Sequence, residues 1–162
     1  AWANSRGGSG TATGTTSWTA SGIVLQPGPN VLTVTVRDAA GNTGTASLTV
    51  TLTLTFTFTD DPLTAESTLI KTVYIMELRA AIDSVRVALG LATFAWTDPT
   101  LTPGSTTINA VHLLELRTAL NQAYQAAGQT PPTYTDPDIV DGPTVIKGIH
   151  LNELRDAVRA LE

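Results

Sequence analysis

The stretch IKTVYIMELR at residues 70–79 returns as INAVHLLELR at residues 108–117 and as IKGIHLNELR at residues 146–155. The spacing from residue 70 to 108 and from 108 to 146 is 38 residues in both cases. An Asp-Pro pair stands ahead of each copy, at residues 61–62, 98–99 and 136–137. A fixed period of this kind is typical of chains built from repeated supersecondary units. We therefore expect residues 60–162 to form three repeats, with bounds 60–93, 94–131 and 132–162.

Each repeat predicts one amphipathic helix. At about 100° per residue, the apolar side chains of the second repeat fall on one broad helix face. That face contains Ile108, His112, Leu113, Leu116, Ala119, Leu120, Ala123 and Tyr124. Because no such helix can bury its apolar face alone, we expect the three to pack as a bundle. Phe94, Trp96 and Tyr134 are expected to pack beneath the helices.

Hydroxyl side chains and glycines mark the predicted ends of these helices. Thr68, Thr106 and Thr144 fall just before the helical pattern and are candidate N-caps. Gly90 and Gly128 follow the first two helices, where a residue in the left-handed conformation commonly ends a helix.

The first 59 residues have a different composition, with Arg6, Arg37 and Asp38 as their charged residues. Residues 31–36 and 48–59 alternate between apolar and polar side chains, and the turn sequence DAAGN at residues 38–42 lies between them. This pattern predicts a β-hairpin, and residues 18–25 predict a further strand. We therefore predict an α+β chain of two separate modules: antiparallel β structure at residues 1–59 and an all-α three-repeat bundle at residues 60–162.

The alternating run at residues 48–59 is unusually long. Twelve residues at about 3.3 Å each would reach about 40 Å, roughly twice the length of a typical strand. Three interpretations are open: the run is a last strand that continues as a stiff link, part of it adds to the sheet of a neighbouring molecule, or part of it is a loop. In the second interpretation the self-association residues are Leu48, Val50, Leu52, Leu54, Phe56 and Phe58.

Both halves resemble parts of secreted bacterial proteins. The stretch WTASGIVLQPGPNVLTVTVRDAAGNTG at residues 18–44 resembles the C-terminal half of a bacterial immunoglobulin-like (Big-type) domain. This resemblance covers about residues 1–55 and implies a β-sandwich, an extracellular or cell-surface location, and a spacer or adhesive role. The Thr-Asp-Pro…His-x-x-Glu-Leu-Arg unit is similar to tandem helical repeats of secreted bacterial proteins, and that likeness implies no activity.

The immunoglobulin-like sandwich is expected to be incomplete. A complete sandwich has about seven strands in about 100 residues, and only about four strands can be found before residue 60. Four amphipathic strands cannot close a two-sheet core, so apolar faces and strand edges would be open to pairing.

Ionisable residues recur at equivalent positions of the three repeats. They are Tyr74, Glu77 and Arg79 in the first, His112, Glu115 and Arg117 in the second, and His150, Glu153 and Arg155 in the third. A His and a Glu three residues apart on a helix can approach one metal ion. However, the first repeat has Tyr where the other two have His, and both side chains have a flat ring with a polar tip. The exchange favours a structural, hydrogen-bonded ring over a metal ligand.

Loop carboxylates are weak calcium candidates, because calcium prefers oxygen ligands. The candidates are Asp38, Asp98, Asp136 and Asp138, with Asp141 close by in the sequence. No loop has the ligand spacing of an EF-hand, and Asp-Pro is also an ordinary turn sequence. We find no nucleophile elbow, phosphate-binding loop or catalytic carboxylate pair, so we expect no catalytic residues and no cofactor.

Composition narrows the classes of partner. A net charge of −5 with 14% charged residues argues against nucleic acid, which needs basic side chains. No apolar run approaches the about 20 residues of a membrane span, so no membrane insertion is expected. The absence of Cys excludes disulfides and thiolate metal sites.

We therefore expect a non-enzymatic, extracellular or cell-surface structural and adhesive protein. It would associate with copies of itself by β-strand complementation, and a filament is one outcome of such an association. The alternative is an accessory region that binds glycan or cell-wall polysaccharide for a larger secreted enzyme, with Trp2, Trp18 and Trp96 as the aromatic candidates.

Overall fold

The structure is a computed structural model that describes residues 1–64, 69–140 and 145–162. Thr68, Asp141 and Thr144 lie outside these ranges. Antiparallel β-sheets in the N-terminal half are followed by three helices, which confirms the α+β prediction at that level. The strands are β1 Trp2–Asn4, β2 Ser9–Gly10, β3 Thr13–Gly14, β4 Trp18–Thr19, β5 Gly28–Arg37 and β6 Thr43–Leu52. The helices are α1 Thr72–Ala88, α2 Ala110–Ala126 and α3 Gly148–Arg159.

The chain divides into two compact units, Ala1–Thr53 and Leu54–Glu162. In the first unit, β2, β1, β5 and β6 form a four-stranded antiparallel sheet in that order, and β3 and β4 form a separate two-stranded sheet. We call these two parts of the chain the β unit and the helical unit.

The predicted hairpin is confirmed and is the backbone of the β unit. Strands β5 and β6 pair along their full length, from Gly28 opposite Leu52 to Arg37 opposite Thr43. The turn between them is held by Asp38, whose carboxylate accepts bonds from the Asn42 backbone N–H at 2.8 Å and side-chain amide at 2.9 Å. These hydrogen bonds lower the pKa of Asp38.

The strand predicted at residues 18–25 is wrong beyond its first two residues, because side-chain hydrogen bonds replace the sheet ladder there. Asn30 is fully buried; its Oδ1 accepts from the Gln26 N–H at 3.0 Å, and its amide donates to the Gln26 and Gly28 carbonyls. The Asn4 amide donates to the Val24 carbonyl and to Asn30 Oδ1, both at 3.1 Å. This segment is therefore an irregular loop pinned by two asparagines.

Of the alternating run at residues 48–59, the strand reaches only as far as Leu52. Leu52, opposite Gly28, is the last residue of β6, and the residue before Gly28 is Pro27, which has no N–H to extend the ladder. Beyond this point Leu54, Phe56 and Phe58 are half-buried against the core of the helical unit. The break between the units thus lies at residues 53–54, whereas the sequence placed it at residues 59–60.

The helical unit has one continuous apolar core to which all three helices contribute. Of the face predicted for the second helix, every residue is buried except Ile108, which is half-buried just before α2 begins. Phe94, Trp96 and Tyr134 pack against the core as predicted. Three loop residues at equivalent positions, Leu63, Leu101 and Ile139, are also buried there.

The predicted glycine C-caps are confirmed. Gly90 has φ +81° and Gly128 has φ +71°. Each completes a Schellman motif: the N–H of Leu91 donates to the Arg86 carbonyl at 2.8 Å, and that of Gln129 to the Tyr124 carbonyl at 2.9 Å.

The predicted N-cap is wrong at Thr106, because the N-cap of α2 is Asn109, three residues later, and the helix begins at Ala110. The Thr106 hydroxyl instead accepts a bond from the Thr102 N–H at 2.9 Å inside the preceding loop.

Candidate functional site

The recurrent ionisable residues of the helical unit build the same small network three times. In each repeat, one loop aspartate has positive φ: 50° at Asp60, 48° at Asp98 and 49° at Asp136. Aspartate is one of the few residues other than glycine that tolerates this region. The positive φ falls on the Asp of the Asp-Pro pair in the second and third repeats, and on Asp60, one residue before that pair, in the first.

The ring at the Tyr/His position bonds to this aspartate. Tyr74 Oη donates to Asp60 Oδ2 at 2.6 Å, while His112 Nε2 lies 3.2 Å from Asp98 Oδ2 and His150 Nε2 lies 3.1 Å from Asp136 Oδ2. All three rings are fully buried.

The tautomer of the histidines is fixed by their other ring nitrogen. His112 Nδ1 accepts from the Asn109 N–H at 2.9 Å, and His150 Nδ1 accepts from the Lys147 N–H at 3.2 Å. Nε2 therefore carries the proton and donates to the aspartate, as the Tyr74 hydroxyl does. In this arrangement each histidine closes the start of its helix, and neither nitrogen has a lone pair free for a metal ion.

The glutamate of each repeat holds its own incoming loop. Glu77 accepts from the Thr59 N–H at 2.9 Å, Glu115 from the Thr97 N–H at 3.0 Å, and Glu153 from the Thr135 N–H at 3.0 Å. The separation along the chain is 18 residues each time.

The arginine of each repeat reaches the next repeat, and we call Arg79, Arg117 and Arg155 the clamp arginines. Arg79 donates to the Thr97 and Asp98 carbonyls at 2.7 and 2.8 Å, and Arg117 donates to the Thr135 and Asp136 carbonyls at 2.8 and 2.9 Å. Burial lowers the pKa of Arg79 and of Arg117, against the pull of nearby carboxylates.

Arg155 makes the same contact backwards, with the first repeat. It donates to the Thr59 carbonyl at 2.9 Å and to the Asp60 carbonyl at 3.3 Å, across 96 and 95 residues of chain. The first repeat thus takes the place of the next repeat after the third, and the three repeats form a closed ring.

Each clamp arginine also lies over an aromatic ring of the repeat that it holds. The guanidinium carbon is 5.0 Å from the Trp96 ring centre for Arg79, 4.6 Å from Tyr134 for Arg117 and 5.1 Å from Phe58 for Arg155. The Nε atoms of the three arginines are buried without a hydrogen-bond partner among the described residues. The aromatic faces offset part of that cost by attracting the cation.

Three of the four calcium candidates accept hydrogen bonds from other side chains or the backbone, and the fourth is exposed. Both carboxylate oxygens of Asp38 bond to Asn42, Asp98 and Asp136 bond to histidines, and Asp138 is exposed. The bond from His150, with help from Lys147, lowers the pKa of Asp136. Within residues 1–64, 69–140 and 145–162, no three His, Cys, Asp or Glu side chains gather to hold a metal ion.

The tryptophans named as glycan candidates differ in exposure. Trp2 is buried, and Gly10 lies directly opposite it in the sheet, where an added Cβ would come within 2.8 Å of the indole nitrogen. Trp96 is half-buried beside Phe94 and donates to Asp83 at 2.8 Å. Trp18 has 48% of its surface exposed.

Strand β6 is an edge of the four-stranded sheet, and its outward-facing backbone groups can be assigned. The Thr35 and Ser5 N–H groups donate to the Ala1 and Val31 carbonyls, so the odd-numbered residues of β5 bond to β1. The even-numbered residues of β5 then bond to β6, and the register places them opposite even-numbered residues of β6. The odd-numbered residues of β6 consequently direct their N–H and C=O groups away from the sheet.

We call these outward-facing groups the free edge; they belong to Thr43, Thr45, Ser47, Thr49 and Thr51. No strand in the described part of the chain pairs with β6 on this side. An isolated bridge joins Pro27 to Leu52 at one end of the strand. The free edge is therefore open over nine residues.

The even-numbered residues of the hairpin share one side of the sheet, which we call the apolar face. Its members are Leu32, Val34, Val36, Leu48, Val50 and Leu52. Leu48 keeps 63% and Val36 keeps 56% of its surface exposed. In the fully described range of residues 1–53, the buried residues are Trp2, Asn4, Pro27 and Asn30. The β unit thus has an amphipathic sheet with two of the six side chains of its apolar face, Val36 and Leu48, mostly in water.

Of the six predicted self-association residues, the structure leaves three in this sheet and places three elsewhere. Leu48, Val50 and Leu52 lie on β6, whereas Leu54, Phe56 and Phe58 belong to the helical unit. A signal for this division was present in the sequence, because Phe58, Thr59 and Asp60 stand 38 residues before Trp96, Thr97 and Asp98. The repeat therefore begins before residue 60.

Comparison with protein families, with curated proteins and with solved structures found no match. Among the described residues, no helix is both long and apolar enough to pass through a membrane.

Proposed function

We propose that the chain is a non-catalytic structural module that associates with copies of itself by strand addition at the free edge of β6. The observation that carries this proposal is the chemistry of the strand itself. Its sequence, TGTASLTVTL, contains neither a charged residue nor a proline. Natural proteins usually protect an exposed edge with lysine, proline, a bulge or a very short strand.

The apolar face adds a second reason for association. Leu48 and Val36, with more than half of their surface in water, give an amphipathic sheet that lacks a covering layer on that part of its face. An immunoglobulin-like sandwich places a second sheet there. We propose that the β unit is part of such a sandwich and that strand addition at the free edge extends the one sheet that it has.

The helical unit fits a structural role because its recurrent polar residues are used internally. The rings, glutamates and clamp arginines bond to loops of their own or the next repeat, and the ring of repeats is closed by Arg155. We propose an extracellular or cell-surface setting and an adhesive or spacer role, in line with the resemblance of both halves to secreted bacterial proteins.

A glycan-binding role is supported by one residue, the exposed Trp18. If this role is correct, insoluble polysaccharide retains the intact chain and a Trp18→Ala variant loses the retention. Retention that is equal for both chains removes Trp18 as the contact.

The proposal is tested by sedimentation or light scattering of the intact chain over a wide concentration range. Thr49→Pro removes an outward-facing N–H, and Thr49→Val keeps that N–H while removing the hydroxyl. We expect the parent chain and Thr49→Val to associate and Thr49→Pro to remain monomeric, with unchanged helical circular dichroism in all three. A parent chain that stays monomeric at every concentration overturns the proposal.

A further inference from the structure

We infer that the strand added at the free edge is β6 of a second copy, antiparallel to the first, with Ser47 facing Ser47 across a two-fold axis. This inference rests on the proposed function and names the partner and the register of the contact. It replaces an open-ended filament with a closed dimer that contains one continuous eight-stranded sheet.

The free edge restricts the possible registers. In an antiparallel pair, residues that exchange two hydrogen bonds must both point towards the partner strand. On β6 those residues are odd-numbered, so an odd residue of one copy must face an odd residue of the other. The register that uses the whole free edge pairs Thr43 with Thr51, Thr45 with Thr49, and Ser47 with Ser47. The two-fold axis repeats the first two of these pairs, so there are five facing pairs in all. They give about ten main-chain hydrogen bonds, two for each pair.

The side chains suit this register on both faces of the sheet. On the apolar face, Leu48 would lie opposite Ala46 of the second copy, and Val50 opposite Gly44. Each large side chain therefore meets a small one, which avoids crowding at the new contact. On the other face, the facing pairs consist of Thr and Ser hydroxyls, like the pair within the hairpin in which Thr33 and Ser47 lie 3.0 Å apart.

The absence of charged residues on β6 favours a second copy of the chain over a different protein as the partner. Because residues 43–52 carry no charge, two identical strands meet without repulsion, and no charged partner is selected. The opposite edge of the sheet is β2, which consists of Ser9 and Gly10 alone. It is too short to receive a ten-residue strand, so the contact uses the same edge twice and closes.

The register can be tested by single cysteines, because the chain has none of its own. In the inferred dimer, Ser47 is the one residue of the free edge that faces itself. The Cα atoms of such a pair are about 5.5 Å apart, within the range that a disulfide spans. Two Thr45 residues would be four residues out of register, about 13 Å apart at 3.3 Å per residue, and too far to be bridged.

We expect Ser47→Cys to form a covalent dimer under mild oxidation and Thr45→Cys to form none. A mixture of Thr45→Cys with Thr49→Cys should form the mixed dimer, because those positions face each other. The inference is overturned if Thr45→Cys crosslinks alone as readily as Ser47→Cys.

It is also overturned if the cysteine variants associate without any crosslink, since the two strands then meet in another register or the contact lies on another surface. The proposed function survives this second outcome if Thr49→Pro still abolishes the association, and it fails if Thr49→Pro associates like the parent chain. A parent chain that does not associate at all overturns both.

Discussion

Replacing Arg155 by Ala opens the ring of helical repeats at the contact between its last and first members. The Arg155 side chain is fully buried and donates to two carbonyls, those of Thr59 and Asp60, while its guanidinium lies over Phe58 and Tyr74. Its NH1 is also 3.5 Å from Asp61 Oδ1. Truncation leaves these acceptors without their donor and leaves a cavity beside two rings.

The magnitude follows from these contacts. A hydrogen bond to a charged group contributes about 1.5–3 kcal/mol to stability, and Arg155 donates two such bonds to carbonyls. Asp61 keeps Arg159 as its partner, so no unpaired charge is left. The contributions of the two bonds and of the ring contacts overlap, so we expect Arg155→Ala to lower the free energy of unfolding of the helical unit by about 3–5 kcal/mol. A unit of this size has about 5–15 kcal/mol in total.

The assay is urea unfolding of the intact chain followed by far-ultraviolet circular dichroism at a helix band, because the described helices lie in the helical unit. The matched control is Arg159→Ala, one turn further along α3. Arg159 also pairs with Asp61, but 32% of its side chain is exposed, so we expect a loss of less than about 1 kcal/mol. Equal and small losses for both variants would refute the ring-closing role of Arg155.

Further substitutions test other contacts. Tyr74→Phe should cost about 1 kcal/mol in thermal or urea unfolding through its lost bond to Asp60, whereas Tyr74→His should cost less because histidine fills this position in the other repeats. Gly90→Ala should cost about 1 kcal/mol in the same measurement, because Gly90 has a positive φ that alanine adopts only with strain. The cost should be no larger, since an added Cβ meets no atom within 4 Å. Hydrogen bonds, from His150 to Asp136 and from Lys71 and Tyr74 to Asp60, lower the pKa of each carboxyl in the folded chain. In acid the unfolded chain therefore binds more protons than the folded chain. The contribution of these two carboxyls to stability should be complete above the unfolded pKa of about 3.9 and should be lost as the pH falls through the folded pKa. Asp136→Asn should weaken this pH dependence of stability, measured by unfolding at a series of acid pH values. In the inferred dimer, Thr45→Lys with Thr49→Glu should strengthen association measured by sedimentation at low salt, and Thr45→Lys with Thr49→Lys should weaken it.

Local patterns predicted the parts of the fold that depend on near neighbours. Alternation gave the β5–β6 hairpin, and the turn sequence at residues 38–42 gave its connection. The helical period gave the buried face of α2, and the glycines after the first two helices gave their C-caps. In each case the determining contacts lie within a few residues or one hairpin.

The failures share a physical cause, which is competition between local pattern and distant partners. The alternation at residues 48–59 is equally good on both sides of Thr53, yet β5 supplies hydrogen-bond partners only as far as Leu52. Beyond that residue, Phe56 and Phe58 gain more burial on the helices than an unpaired strand could give them. Residues 20–26 form no strand, because the buried side chains of Asn4 and Asn30 bond to the backbone of Val24 and Gln26 in place of a neighbouring strand.

The amino-acid sequence by itself determined the two classes of secondary structure, the 38-residue repeat and the interchange of Tyr and His at one position. Only the tertiary structure decided that the repeats close into a ring, since the donor on Arg155 and the acceptor on Thr59 are 96 residues apart. It likewise decided which edge of the sheet is free, because an edge is defined by the strand that fails to pair with it. Periodicity records which side of an element avoids water, whereas the identity of the surface that covers it depends on contacts between residues far apart in the chain.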